Sequence, residues 1–196
     1  SDGVFAIVIT LLVIEIHAPN EGEVEQSGSL AAALFEQWPS YAGYFVSFLI
    51  IGVMWVNHHR IFEQVRAVDG PTLLLNLNLL LWTVLIPFPT AVMAEYLRQG
   101  GDDATTAVAL YTGLILVTAV SFTLLFAWVT HDARLIAEVP SPAAIRAARI
   151  RFSFGLAAYT LAFAMSWLAP VVALVAHAAM ALYYAFDQAS VASASA

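Results

Sequence analysis

Few side chains in this 196-residue sequence can take up a proton, ligate an ion or carry charge. Those with the most chemical scope stand in or beside apolar runs: Asp2, His58, His59, Asn76 and Asn78, with Ser1 next to the first. A carboxylate accepts hydrogen bonds, a carboxamide donates and accepts, and an imidazole does either. Two chemistries are open to such a set. One is a cross-helix network that fixes packing; the other is a proton relay or ion-binding site. Metal catalysis is poorly served, because the adjacent histidines of "NHHR" point about 100° apart on a helix, whereas His-Glu-x-x-His puts two on one face. No Gly-x-Ser-x-Gly elbow supports a serine nucleophile. Without cysteine there is neither disulfide nor thiolate ligand. No enzyme, cofactor or resident metal is expected. His17, His131 and His177 stand alone or near the ends of apolar runs, where interface water or backbone is their expected partner.

The elements that must position these groups are membrane helices. Hydrophobic residues make up 61% and charged residues 11% of the chain, with a mean hydropathy of +0.82. That lies well outside the soluble range. Apolar runs of roughly 20 residues occur at about 3–17, 40–62, 71–97, 104–130, 143–168 and 170–186. They are continuous rather than alternating, which argues against a β-barrel. The fold class expected is an all-α polytopic membrane protein, with six transmembrane helices in a single domain over 1–187. Its partner is the lipid bilayer. The small, polar stretch 188–196 is expected to be a flexible tail. A net charge of −7 argues against nucleic acid as a partner.

Arginines orient the spans. Arg60, Arg66, Arg134, Arg146, Arg149 and Arg151 fall on one side and Arg98 alone on the other, where Glu21, Glu23, Glu25, Asp102 and Asp103 lie. By the positive-inside rule both termini are expected in the cytoplasm and "PNEGEVEQSG" outside. "SLAAALFEQW" reads as a short surface helix broken at Pro39, with Trp38 and Tyr41 at headgroup level. Pro87 and Pro89 predict a kink in the third span, and Pro170 suits the first position of the last helix. With helix 3 starting near Pro71, Asn76 lies about 8 Å into the membrane. Asp2 and the two histidines fall at a similar height. A network of Ser1, Asp2, His58 and Asn76 is therefore expected to tie helices 1, 2 and 3 together.

On helix 1, Ile7, Thr10, Leu11 and Ile14 share one stripe, at offsets of three, four and seven. Such a stripe ordinarily packs on a neighbouring helix, with Thr10 bonding back to the carbonyl of Ala6. Spacing alone leaves a pore-lining role open beside that reading.

Three stretches carry a resemblance. "SDGVFAIVITLLVIEI", "WVNHHRIF" and "LNLNLLLWTVLIPFPT" look like the transmembrane protein 175 family of potassium channels, and in particular its prokaryotic, single-unit members. Ser1-Asp2 matches the end of the family's Arg-x-x-x-Phe-Ser-Asp signature, whose Arg and Phe would lie before residue 1. His58, Arg60 and Phe62 match its His-x-Arg-x-Phe segment, and Asn76 stands eleven residues before Pro87. The recognisable motifs cover roughly residues 1–95.

The resemblance implies a homotetramer of identical subunits in a prokaryotic cell membrane, with helix 1 lining a central pore. Ile7 would form the narrowest ring, with Leu11 and Ile14 beyond it, a constriction that gates by dewetting. Potassium would be the permeant ion, with modest selectivity. No Thr-Val-Gly-Tyr-Gly filter is present, and Thr10 is the only hydroxyl on the stripe. Glu15 near the outer end would raise local cation concentration. The competing readings are a proton-coupled secondary transporter built on Asp2, His58 and Asn76, and an assembly protein without transport activity.

Overall fold

The computed structural model describes residues 1–131, 135–137 and 141–194; Arg134 and the last two residues lie outside that set, as do the side chains of Arg149 and Arg151. Among the described residues the chain forms nine α-helices. They are α1 (Asp2–Leu11), α2 (Glu21–Ser27), α3 (Leu30–Glu36), α4 (Trp38–Glu63), α5 (Gly70–Val84), α6 (Pro87–Tyr96), α7 (Gly101–Val129), α8 (Pro142–Met165) and α9 (Pro170–Ala194). Three stretches among the described residues are long and apolar enough to cross a membrane: Trp38–Glu63, Gly70–Tyr96 and Gly101–Val129. Phe152–Met165 and Pro170–Ala185 are shorter apolar helices.

The boundaries have identifiable causes. α1 keeps α-helical winding only to Leu11 and then tightens into a 3₁₀ turn, Leu12–Glu15, so the helix expected over 3–17 ends early. The change falls at Leu12, whose side chain is fully buried, where the turn packs against α4 and α6. α5 and α6 are one stretch interrupted at Leu85 and Ile86, just before Pro87 and Pro89, which lack the N–H groups a continuous helix requires. α9 continues to Ala194, past the expected end at 186 and through much of the stretch read as a tail. Residues 187–194 hold neither glycine nor proline to stop it.

The segment between α1 and α4 is more ordered than apolar runs alone suggest. Asn20 caps α2 in a reciprocal box, accepting from Glu23 N–H while the Glu23 carboxylate accepts from Asn20 N–H at 2.7 Å. That backbone bond, and then His17, hold the Glu23 carboxyl below its ordinary pKa. Ser29 caps α3, and Pro39 opens α4 instead of only ending the helix before it. Arg98 fastens this segment to the end of α6, donating to the Glu36 carbonyl at 2.9 Å and pairing with its carboxylate at 3.3 Å. Between α6 and α7 the chain turns through Gly100 and Gly101 at φ of 70° and 68°, which L side chains rarely adopt.

α7 is the central post, packed against α5, α6, α8 and α9, while α4 packs against α1, α6 and α9. Tyr111, Ile115 and Leu125 of α7 meet Ile51, Leu79 and Ile86 in a fully or nearly fully buried core. Buried hydroxyls inside these helices are satisfied locally: Thr83, Thr112, Thr118 and Ser121 each bond to the carbonyl four residues back. At one end of the bundle, Arg66 N–H reaches the Leu135 carbonyl and Ala137 N–H the Gln64 carbonyl, both at 2.8 Å. These bonds clamp the α4–α5 loop to the segment after α7.

Candidate functional site

α1 has two unlike faces. Phe5, Val8 and Leu12, at offsets of three and seven, are 0% exposed and pack into the subunit. On the other face Ile7 is 60%, Leu11 37% and Ile14 70% exposed, and Gly3, Ala6 and Thr10 on that face are exposed too. The stripe therefore does not pack on another helix of its own chain. The Thr10 hydroxyl donates to the Ile7 carbonyl at 2.8 Å and not to that of Ala6. The i−3 partner comes within reach as the helix tightens toward its 3₁₀ end. With its proton committed to backbone, Thr10 turns lone pairs rather than a donor toward its exposed side. Glu15 is half-buried in the 3₁₀ turn.

At the Asp2 end, the structure brings Ser1, His58 and Asn76 together and places Asp2 in a neighbouring group. Asn76 Nδ2 donates to Ser1 Oγ at 3.2 Å, so its Oδ1 accepts from His58 Nε2 at 2.8 Å. That fixes His58 as the Nε2–H tautomer. Its Nδ1 is buried with no partner among the described residues. Phe5 and Phe62 cover the ring, with centroids 5.2 and 4.5 Å away. The Asp2 carboxylate instead accepts from Trp55 Nε1 at 3.2 Å and stands 3.9 Å from His59, which reaches Glu63 at 3.3 Å. Trp55, His59 and Glu63 are spaced by four, one stripe of α4, while His58 points about 100° away into the subunit. The division of labour between the two histidines follows from helical period alone.

Asn78 does not join either group. It donates to Ser121 Oγ at 2.8 Å and accepts from Trp82 Nε1 at 3.1 Å, pinning α5 to α7. His17 finds side chains instead of interface water or backbone, lying 3.2 Å from both Glu23 and Gln37. His177 is buried in mid-helix, its Nδ1 on the Ala173 carbonyl. His131 lies against Trp128, with ring centroids 6.4 Å apart. Among the described residues, no group of three or more histidines and carboxylates is placed to hold a metal ion.

α1 thus presents an aliphatic stripe that no helix of its own chain covers, with the Thr10 hydroxyl on the same face and a polar knot at its Asp2 end. Residues 1–87 match the family described as endosomal/lysosomal potassium channel TMEM175. A potassium channel of Streptomyces collinus is 45% identical over 190 residues, covering 96% of this chain and 89% of the relative. The chain belongs to the TMEM175 family. Bovine TMEM175, an endosomal/lysosomal proton channel, is 36% identical over 108 residues, which is 53% of this chain and 22% of that one. The fold is similar to the crystal structure of a lysosomal potassium-selective channel TMEM175 homologue from Chamaesiphon minutus. The TM-score is 0.85 at 38% identity, covering 95% of this chain and 93% of that one. Kinship with channels sets this TMEM175-family chain apart from enzymes and makes it a membrane protein.

Trp55, Glu63, Trp82 and Ser121 are the polar partners that reading the sequence overlooks. Trp55 and Glu63 were signalled by their four-residue spacing from His59. Trp82 lies four residues after Asn78, so the same rule finds it. Ser121 carried no such signal, because its pairing depends on how α5 and α7 are rotated against each other.

Proposed function

We propose that this chain is one subunit of a homotetrameric, potassium-permeable cation channel whose pore is lined by α1. One observation carries the reading: α1 buries Phe5, Val8 and Leu12 completely and leaves Ile7, Leu11 and Ile14 bare. A second copy of the same surface, repeated around an axis, closes on itself. Four Ile7 side chains then meet as the narrowest ring, with Leu11 and Ile14 above. A ring of that kind excludes water and holds the pore shut until α1 tilts or turns. The relatives named as potassium channels supply the permeant ion.

Selectivity in this reading is modest and rests on Thr10. Its oxygen, with the proton given to Ile7, offers four acceptors around the axis in place of lost hydration water. Glu15 adds negative charge near the far mouth. Ser1, Asn76 and His58 anchor the near end of α1 to α5 and α4. Six spans, both termini in the cytoplasm and a prokaryotic cell membrane complete the proposal, with the arginine distribution as its support.

The channel reading is favoured over a proton-coupled carrier because Asp2 and His58 stand in separate groups. Its test is ion flux from liposomes holding the purified protein. Potassium should run down its gradient without proton co-movement, and Ile7→Asn should raise the flux at least tenfold. An unchanged flux in Ile7→Asn, with proton-coupled uptake that Asp2→Asn abolishes, would favour the carrier. An oligomer without an axial path would favour the assembly protein.

A further inference from the structure

A cleft opens between α4, α6 and α9 toward the Glu15 end of the bundle, with about 560 Å³ of space when its open mouth is included. Ala42 and Val46 of α4, Met93 of α6, and Val175 and Ala178 of α9 line it, and Tyr111 of α7 closes the floor. Tyr111 offers the cleft no donor, because its hydroxyl is already committed. It lies 3.0 Å from Ser47 Oγ, which lies 2.9 Å from Thr90 Oγ1, and Thr90 donates to the Ile86 carbonyl at 2.8 Å. The last bond fixes the order of protons. Thr90 has given its own away, so it accepts from Ser47, and Ser47 accepts from Tyr111. A sugar, amide or charged group entering the cleft would lose its hydration with nothing to replace it. A hydrocarbon chain loses nothing.

The surroundings say where such a chain comes from. α4, α6 and α7 belong to stretches long and apolar enough to cross a membrane, so a cleft between them lies at the depth of lipid hydrocarbon. Its rim holds Trp38, 51% exposed at the start of α4, with Val171 and Val175 exposed on α9. Indoles favour the headgroup boundary. From Trp38 to Val46 the cleft descends roughly 12 Å along α4. We propose that it is a binding site for one acyl chain of a membrane phospholipid, held with the headgroup near Trp38.

The site has a route to the pore. α6, one wall of the cleft, also packs on the 3₁₀ turn Leu12–Glu15, which carries Ile14. An occupied cleft props α6 against that turn, and an empty one lets α6 settle back. This second step rests on the channel reading above.

Native mass spectrometry of the oligomer released from phosphatidylglycerol bilayers tests the site, using the intact chain and the variants Ala42→Phe and Ala178→Phe, which fill the cleft. The intact protein should keep at least one phospholipid per subunit, and both variants should lose it with melting temperatures within a few degrees. Val175→Trp at the rim is the fallback where a filled variant does not assemble, and should show the same loss. In liposomes the lipid-free variants should change potassium flux about threefold or more. Retained lipid in folded, filled variants overturns the proposal. So does unchanged lipid with a shift to smaller oligomers, which would mean a second copy covers the cleft. Lipid retention is read without conduction, so a protein that holds lipid and passes no potassium overturns only the channel reading.

Discussion

Asn76 ties three helices at one point: its Nδ2 donates to Ser1 Oγ at 3.2 Å and its Oδ1 accepts from His58 Nε2 at 2.8 Å. His58 has no other polar partner there among the described residues, and Phe5 and Phe62 close over its ring.

Asn76→Leu should therefore strand the His58 N–H in an apolar site. A cost of about 1–2 kcal/mol is expected, at the upper end for polar contacts between membrane helices. Thermal unfolding in detergent should show a melting temperature several degrees lower. Asn76→Gln, which keeps the amide, should recover part of it. A melting temperature unchanged in Asn76→Leu would mean the contact contributes nothing to holding α1.

Ser121→Ala tests the second pin. Asn78 would lose its α7 partner but keep Trp82, so stability should fall by under about 1 kcal/mol. Flux through Ile7→Asn channels should be indifferent to it, because this contact lies between α5 and α7, away from the α1 stripe.

Asp69 gives a pH-dependent prediction outside the membrane. It caps α5, and hydrogen bonds from the Thr72 hydroxyl and then the Thr72 N–H, with Trp128 Nε1 behind them, hold its carboxyl below the ordinary value of 3.8. A depressed folded-state pKa stabilises the fold above the unfolded value and loses that contribution as pH falls through the folded one. The melting temperature should thus drop below about pH 4, and the drop should be shallower in Asp69→Asn, which keeps an acceptor without the titration. An equally steep fall in Asp69→Asn would remove Asp69 from the account.

Thr10→Val should abolish what potassium preference the channel has while leaving it conducting, since the aliphatic ring is untouched. Bi-ionic reversal potentials in planar bilayers read the ratio directly. Thr10→Ser, which restores the oxygen, should restore the preference. An unaltered ratio in Thr10→Val would move selectivity elsewhere.

Much of this architecture was legible because long apolar runs and prolines leave strong local marks. α4 and α7 follow their runs within three residues, and the break before Pro87 falls at the expected place. Asn76 and His58 were brought to one depth by counting residues along antiparallel helices. Rotation about a helix axis was harder to read. Asp2 turns to Trp55 and His59 instead of Asn76, and Asn78 turns to Ser121, because those choices depend on tertiary contacts. α2 went unseen although Asn20-x-x-Glu23 is a capping-box spacing, since attention to apolar runs passes over short polar helices. The early end of α1 falls where Leu12 is buried and the 3₁₀ turn packs against α4 and α6, a tertiary contact that periodicity does not encode.

The central claim is that the bare face of α1 looks into an ion path. The chain has no cysteine, so Ile7→Cys installs a single thiol without further engineering. The decisive measurement is potassium flux from liposomes carrying Ile7→Cys, before and after cadmium or a water-soluble methanethiosulfonate, with Val8→Cys as the control for the buried face. The account predicts rapid block of Ile7→Cys, relieved by chelation or reduction, and no effect on Val8→Cys. Flux through Ile7→Cys that persists at full modification, or block confined to Val8→Cys, would contradict it.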